Sequence, residues 1–208
     1  MQSEDGKKYI ITEDKWAEIL IKIQELSSDN VKELMYKNKM HRTIFECNNI
    51  NKSDEESAWI RVRVGDINCE GISQCTVTYK NKNHEEDKTD SSQFIAEDYY
   101  SVMQFFKDIK MPLVSEQETL RSKYVFYYEN AKYVICFDIW PHLSEMIFIT
   151  LDTEDNIAEE RFKLVCHSLG LPQKAMQVGY VDIDRAYEEN YGKKASEIRQ
   201  LRFNFPLV

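Results

Sequence analysis

Ala58-Trp59-Ile60-Arg61-Val62-Arg63-Val64 alternates apolar residues with arginine. In a β-strand, residues two apart share a face, so the two guanidiniums project to one side and the apolar residues between them to the other. Thr78-Tyr79-Lys80 and Arg121-Ser122-Lys123 repeat the pattern on other strand-like segments. Several such strands side by side would line a surface with guanidinium and ammonium groups. That surface is costly to assemble unless it meets a dense polyanion, for which a triphosphate is the obvious candidate. The competing reading is a solvated strand face, the usual fate of an isolated Arg-x-Arg. The accompanying cationic strands weigh against it.

Composition bounds the reading. At 208 residues the chain fits a single domain over 1–208, with 170–208 as a helical and strand extension of it. Apolar content of 42%, with 12% aromatics, argues against disorder. No apolar run is long enough to span a bilayer, and the first residues carry no signal-peptide core, so no membrane partner is expected. Five cysteines without Cys-x-x-Cys spacing point to reduced thiols and a cytoplasmic location. The 36 acidic and 27 basic residues give a net charge of −9, which disfavours binding to long nucleic acid. Concentrated cations in an acidic protein therefore point inward, to a pocket.

Along the chain, strand-like and helix-like blocks alternate without an internal repeat. Residues 7–11 read as a short strand. Thr12 then opens a helix with Trp16, Ile19, Leu20 and Ile23 on one stripe. Residues 37–47 and 58–64 read as strands, and 75–80 as the hairpin partner of the latter. Residues 81–92 are polar enough to be a mobile loop or an exposed strand end. Asp98 opens a helix striped by Tyr99, Val102, Phe106 and Ile109, which Pro112 ends. Residues 119–128 and 132–139 form the clearest hairpin, turning at Glu129-Asn130. A strand over 146–152, a helix over 157–169, a helix over 181–191 and a strand-like tail over 199–205 complete an α+β chain dominated by antiparallel hairpins.

This order of elements, with these basic motifs, resembles the CYTH family of triphosphate-tunnel metalloenzymes. That family includes class IV adenylyl cyclases, thiamine triphosphatases and inorganic triphosphatases. The likeness covers nearly the whole chain. Trp59-Ile60-Arg61-Val62-Arg63 looks like the family's Leu-Arg-x-Arg strand, and Thr78-Tyr79-Lys80 like its Thr-x-Lys strand. Arg121-Ser122-Lys123 looks like its Lys-x-Arg strand with the cations interchanged, and Asp138-Ile139-Trp140-Pro141 like its aspartate segment. The resemblance implies an eight-stranded antiparallel barrel whose polar interior holds a triphosphate chain, with helices outside. It also implies triphosphate ligands at Lys8, Arg61, Arg63, Lys80, Lys88, Arg121 and Lys123, and a cation-pairing role for Asp138. A homodimer is compatible with it.

The departures concern the acids. Glu4-Asp5-Gly6-Lys7-Lys8 stands where the family reads Glu-x-Glu-x-Lys, and Phe148-Ile149-Thr150 where it reads Glu-x-Glu. Lys88-Thr89-Asp90-Ser91-Ser92 stands for Arg-x-Glu-x-Glu. Glu4 and Asp152 are left as candidate ligands for Mg2+ or Mn2+, helped by Asp90. Glu145 and Glu154 are substitutes in poorer strand phase. Asp152 reads equally well as the opener of the turn 152–155. Phosphoryl transfer from a triphosphate needs a carboxylate-held divalent cation. Two functions therefore stay open. One is metal-dependent hydrolysis or cyclisation of ATP, thiamine triphosphate or tripolyphosphate. The other is non-catalytic binding or sequestering of such a compound.

Other chemistries find little support. The six glycines make neither a P-loop nor a dinucleotide fingerprint, and no Gly-x-Ser-x-Gly elbow is present. His41, His84, His142 and His167 lack metal-ligand spacing.

Overall fold

The computed structural model describes residues 7–47, 56–67, 71–83, 88–153, 155, 157–171 and 181–207. The chain divides into two compact units, each made of two sequence segments. The first comprises residues 1–38 and 119–192, the second 39–118 and 193–208.

The first unit holds β1 (Lys7–Ile11), α1 (Glu13–Ser27), most of β6 (Leu113–Tyr128), β7 (Ala131–Ile139), β8 (Ile147–Thr153), α3 (Glu159–Ser168) and α4 (Val181–Tyr191). Strand period and helix period meet in its core. β7 buries Ala131, Tyr133, Ile135 and Phe137, every second residue, while α1 buries Trp16, Ile19 and Ile23. Trp16 stacks on Phe137 with ring centroids 5.1 Å apart. Phe162 and Val165 of α3, Leu169 just beyond its end, and Ile147, Ile149 and Leu151 of β8 complete the cluster. The Tyr9 hydroxyl donates to Cys166 Sγ at 3.1 Å inside it. The β6–β7 turn puts Glu129 and Asn130 both at positive φ, 47° and 62°, as a tight hairpin with the native strand twist requires.

The second unit holds the later part of β2 (Val31–Glu46), β3 (Glu56–Gly65), β4 (Gln74–Asn83), β5 (Lys88–Ala96), α2 (Tyr99–Asp108), the start of β6 and a two-residue strand, β9 (Gln200–Leu201). Its core is Phe45, Val62, Cys75 and Val77 under Phe106 of α2. Asp98 caps α2, its carboxylate accepting from the Ser101 N–H at 2.6 Å.

Hydrogen-bonded neighbours in the sheet run β1-β8-β7-β6-β2-β3-β4-β5, with β9 alongside β6. The pairs β1–β8, β8–β7, β7–β6, β2–β3, β3–β4 and β4–β5 are antiparallel, and β6–β9 is parallel. The α+β antiparallel architecture is therefore as expected, but the closed barrel is corrected. Closure needs the terminal strands to pair with each other, and among the described residues β1 pairs with β8 and β5 with β4.

Three segments are longer or more ordered than their sequence suggests. β2 starts at Val31 rather than 37, and β6 at Leu113 rather than 119. The polar stretch 81–92 contributes the end of β4 and most of β5. No helix among the described residues is long and apolar enough to cross a membrane.

Candidate functional site

Register assembles a cationic face in the second unit. Arg42 on β2 lies opposite Arg63 on β3, which lies opposite Thr76 on β4. The next row, two residues along, is Ile44, Arg61, Thr78 and Gln93, and the third is Glu46, Trp59, Lys80 and Ser91. Directly opposed residues in a ladder share a face, so all three rows look the same way. The intervening residues Phe45, Val62 and Val77 look the other way, into the core beneath α2. The alternation in Ile60-Arg61-Val62-Arg63 thus divides one sheet into an apolar side and a charged side.

This charged side is not a solvated surface. Lys80 is 4% exposed, Thr76 2% and Thr78 3%. Arg42, Arg61 and Arg63 are half-buried. Thr78 Oγ1 donates to Gln93 Oε1 at 3.0 Å, whereas Thr76 Oγ1 is buried without a hydrogen-bond partner among the described residues. Of the described residues on this face of β2–β5, Glu46 is the one acid.

On the opposite side of the same strands, Thr43 Oγ1 lies 3.2 Å from the Tyr99 hydroxyl and 3.4 Å from His41 Nε2. Burial, and then the Arg202 charge, push the His41 pKa below its ordinary value, while Glu116 and Glu118 partly counter them. Arg202 itself is paired with Glu116 at 2.7 Å.

The first unit carries a second set. Arg121 on β6 lies opposite Asp138 on β7 and grips its carboxylate with two bonds, Nε to Oδ1 at 2.7 Å and Nη2 to Oδ2 at 2.6 Å. The adjacent row is Lys123, Cys136, Thr150 and Lys8 across β6, β7, β8 and β1. Asp152 lies one row further, opposite Val134, and its Oδ1 accepts from the Thr153 N–H at 2.8 Å.

The residues singled out from sequence thus fall into two sets. Arg61, Arg63 and Lys80 share a face in the second unit; Arg121, Lys123 and Asp138 share one in the first, with Lys8 in register with them. Asp90 pairs with Asn81 and Ser92 with Tyr79, one residue out of phase with Lys80. Lys88, in the same backbone phase as Asp90, pairs with Asn83. Glu4 lies outside the described residues. Sequence reasoning missed Arg42 and Thr76, because a lone arginine or threonine in a strand carries no motif.

The described carboxylates do not fit a divalent cation. Asp138 is taken up by Arg121, Asp152 is flanked by Val134 and Thr153, and the β8 positions expected to carry acids hold Phe148 and Thr150. Among the described residues no three His, Cys, Asp or Glu side chains converge to hold a metal.

No protein-family model matches the sequence, and no curated protein matches it. Solved structures do. The PH1819 protein from Pyrococcus horikoshii is similar with a TM-score of 0.57 at 17% identity, over 90% of this chain and 99% of that one. A candidate adenylate cyclase from Vibrio parahaemolyticus gives 0.56 at 11% identity, over 87% of this chain and 98% of that one. A candidate adenylyl cyclase from Hippeastrum, with a dominant triphosphatase activity, gives 0.50 at 12% identity, over 87% and 94%. At such identities the likeness is one of fold alone, a CYTH-like fold.

Proposed function

We propose that the protein binds a triphosphate compound through its cationic strand faces. The observation that carries this reading is the set Arg42, Arg61, Arg63 and Lys80 gathered by strand register on one sheet face, with Lys80 almost wholly buried. A linear polyanion supplies several charges along one line, and guanidinium forks match its oxygens. Arg121 and Lys123 provide the same chemistry in the first unit, with Lys8 in backbone register beside them.

Binding without turnover is the reading favoured by the acids: Asp138 is engaged by Arg121, and Phe148 and Thr150 occupy the β8 positions. Metal-dependent hydrolysis or cyclisation is the second reading. It is supported by the cyclase and triphosphatase descriptions of two proteins of like fold, and would draw Mg2+ or Mn2+ to Asp152 and Glu4.

Phosphorus NMR of the protein with tripolyphosphate, ATP and thiamine triphosphate, with and without magnesium or manganese, tests both. Shifted or broadened triphosphate resonances, lost in Arg61→Ala, are the expected result. New phosphate, pyrophosphate or cyclic nucleotide signals that require the metal establish turnover. Unperturbed spectra with all three compounds overturn the assignment.

A further inference from the structure

We propose that the outer face of α2 is a self-association surface, on which a second copy of this chain docks antiparallel about a two-fold axis. The surface belongs to the second unit and lies on the side of the sheet away from the cationic rows. The proposal is therefore independent of the triphosphate reading.

Three observations carry it. The first is a projecting ring. Tyr100 is 79% exposed, the most exposed large apolar side chain among the described residues, and Phe105 and Ile109 stand out from the same segment. A helix buries its apolar stripe, as α2 does with Phe106. Further large apolar side chains gathered on the outer face mark a contact surface.

The second is a hollow of about 610 Å³ beside that ring, lined by Phe45, Met103, Met111 and Leu113, with Tyr100 and Lys107 also on its wall. Tyr100, Gln104 and Lys107 stand at i, i+4 and i+7 and so form one stripe of α2. Tyr100 and Lys107 are thus roughly 10 Å apart along the helix axis. Two methionines make the hollow adaptable to an inserted ring.

The third is charge. Glu97 and Asp98 precede the exposed stripe and Lys107 and Lys110 end it, all four exposed. Acids at the start and lysines at the end complement the helix dipole, and they also make the face self-complementary. A two-fold axis through the midpoint of Met103 and Gln104 brings Tyr100 of each copy level with Lys107 of the other, and Glu97 level with Lys110. Each ring then enters the other copy's hollow beside an ammonium group, which favours it through the ring face. Asp108, the acid at the basic end, is held by Gln104 Nε2 of its own helix at 2.7 Å. An isologous contact needs one patch to carry both halves of every pair, and this patch does. An acidic or a basic partner of another kind would match only one of its ends. Ten residues of helix span roughly 15 Å, so the interface is at the small end and its affinity micromolar.

Sedimentation velocity of the full chain over a wide micromolar range is the test, and a reversible monomer–dimer equilibrium is expected. Tyr100→Ser and Lys107→Glu should each weaken it at least about tenfold, with unchanged far-ultraviolet circular dichroism. Glu97→Lys and Lys110→Glu should each associate poorly alone. Mixed together they should associate nearly as the wild type does, because the mixed pair restores opposite charges at both ends. A wild-type chain that stays monomeric throughout overturns the proposal, and uptake of the apolar dye ANS by that monomer would assign the hollow to another ligand. A dimer indifferent to Tyr100→Ser lies on another face and overturns it too. No gain on mixing the two charge variants overturns the antiparallel two-fold arrangement.

Discussion

Arg121 and Asp138 stand directly opposite each other on β6 and β7, and the guanidinium holds both carboxylate oxygens. The Asp138 side chain is 11% exposed and that of Arg121 25%, so the pair is only partly screened by water. Its geometry fixes the guanidinium plane and engages both oxygens of the carboxylate. Asp138 in this structure therefore orients a cation rather than collecting one.

Removing one partner of a buried pair leaves an uncompensated charge. Asp138→Asn should lower the free energy of unfolding by about 3 kcal/mol, the lower end of the usual range because Arg121 keeps some water contact. Urea denaturation measures it. The double variant Asp138→Asn with Arg121→Gln should lose less than the sum of the single losses, since each removes the same interaction. Strict additivity would show that the two side chains are not energetically coupled.

Lys80 is a buried ammonium on the cationic face of β2–β5. Lys80→Met keeps the length and apolar stem and deletes the charge. Affinity for tripolyphosphate should fall at least about tenfold, while the thermal midpoint changes little. A midpoint several degrees lower, with affinity intact, would make the ammonium a structural group.

The parts of this arrangement legible in sequence are those in which charge and hydrophobicity alternate. Ile60-Arg61-Val62-Arg63-Val64 fixes its own phase, since a one-residue slip would bury the arginines in the core. β7 does the same through Tyr133, Ile135 and Phe137. β5 lacks this constraint, for Asp90, Ser91, Ser92 and Gln93 are polar on both faces. Its phase is set by pairing with β4, so Ser91 rather than Asp90 meets Lys80. Arg42 was hidden for a different reason. Its neighbours Met40, Thr43, Ile44 and Phe45 are all buried, and the alternation that marks a face is lost. Only the register with Arg63 shows which side it takes.

Gly65 tests how tightly the end of β3 packs beside β2. Its φ is +151°, and an added Cβ would meet Met40 Sδ at 2.7 Å and the Lys39 carbonyl oxygen at 3.2 Å. The thioether can swing aside, but the carbonyl belongs to the backbone. Gly65→Ala should cost about 1–3 kcal/mol through backbone strain and this contact. A chemical denaturation series reads the loss. Met40→Ala in the same chain should recover part of it by opening space, and no recovery would locate the strain in the backbone alone.

His41 gives the protein a pH dependence of defined sign. Burial and the Arg202 charge hold its folded pKa below the ordinary 6.5, so the folded state prefers the neutral ring. Between the folded and unfolded values the unfolded chain binds more protons, and stability therefore rises with pH there. The contribution is complete above 6.5 and is lost as pH falls through the folded value. His41→Gln cannot titrate, and retains a polar group near Thr43. Urea midpoints compared across this interval should fall with acidification more steeply in the wild type than in the variant. Parallel curves would mean that His41 is protonated alike in both states, and that the Arg202–Glu116 pair beside it balances its charge.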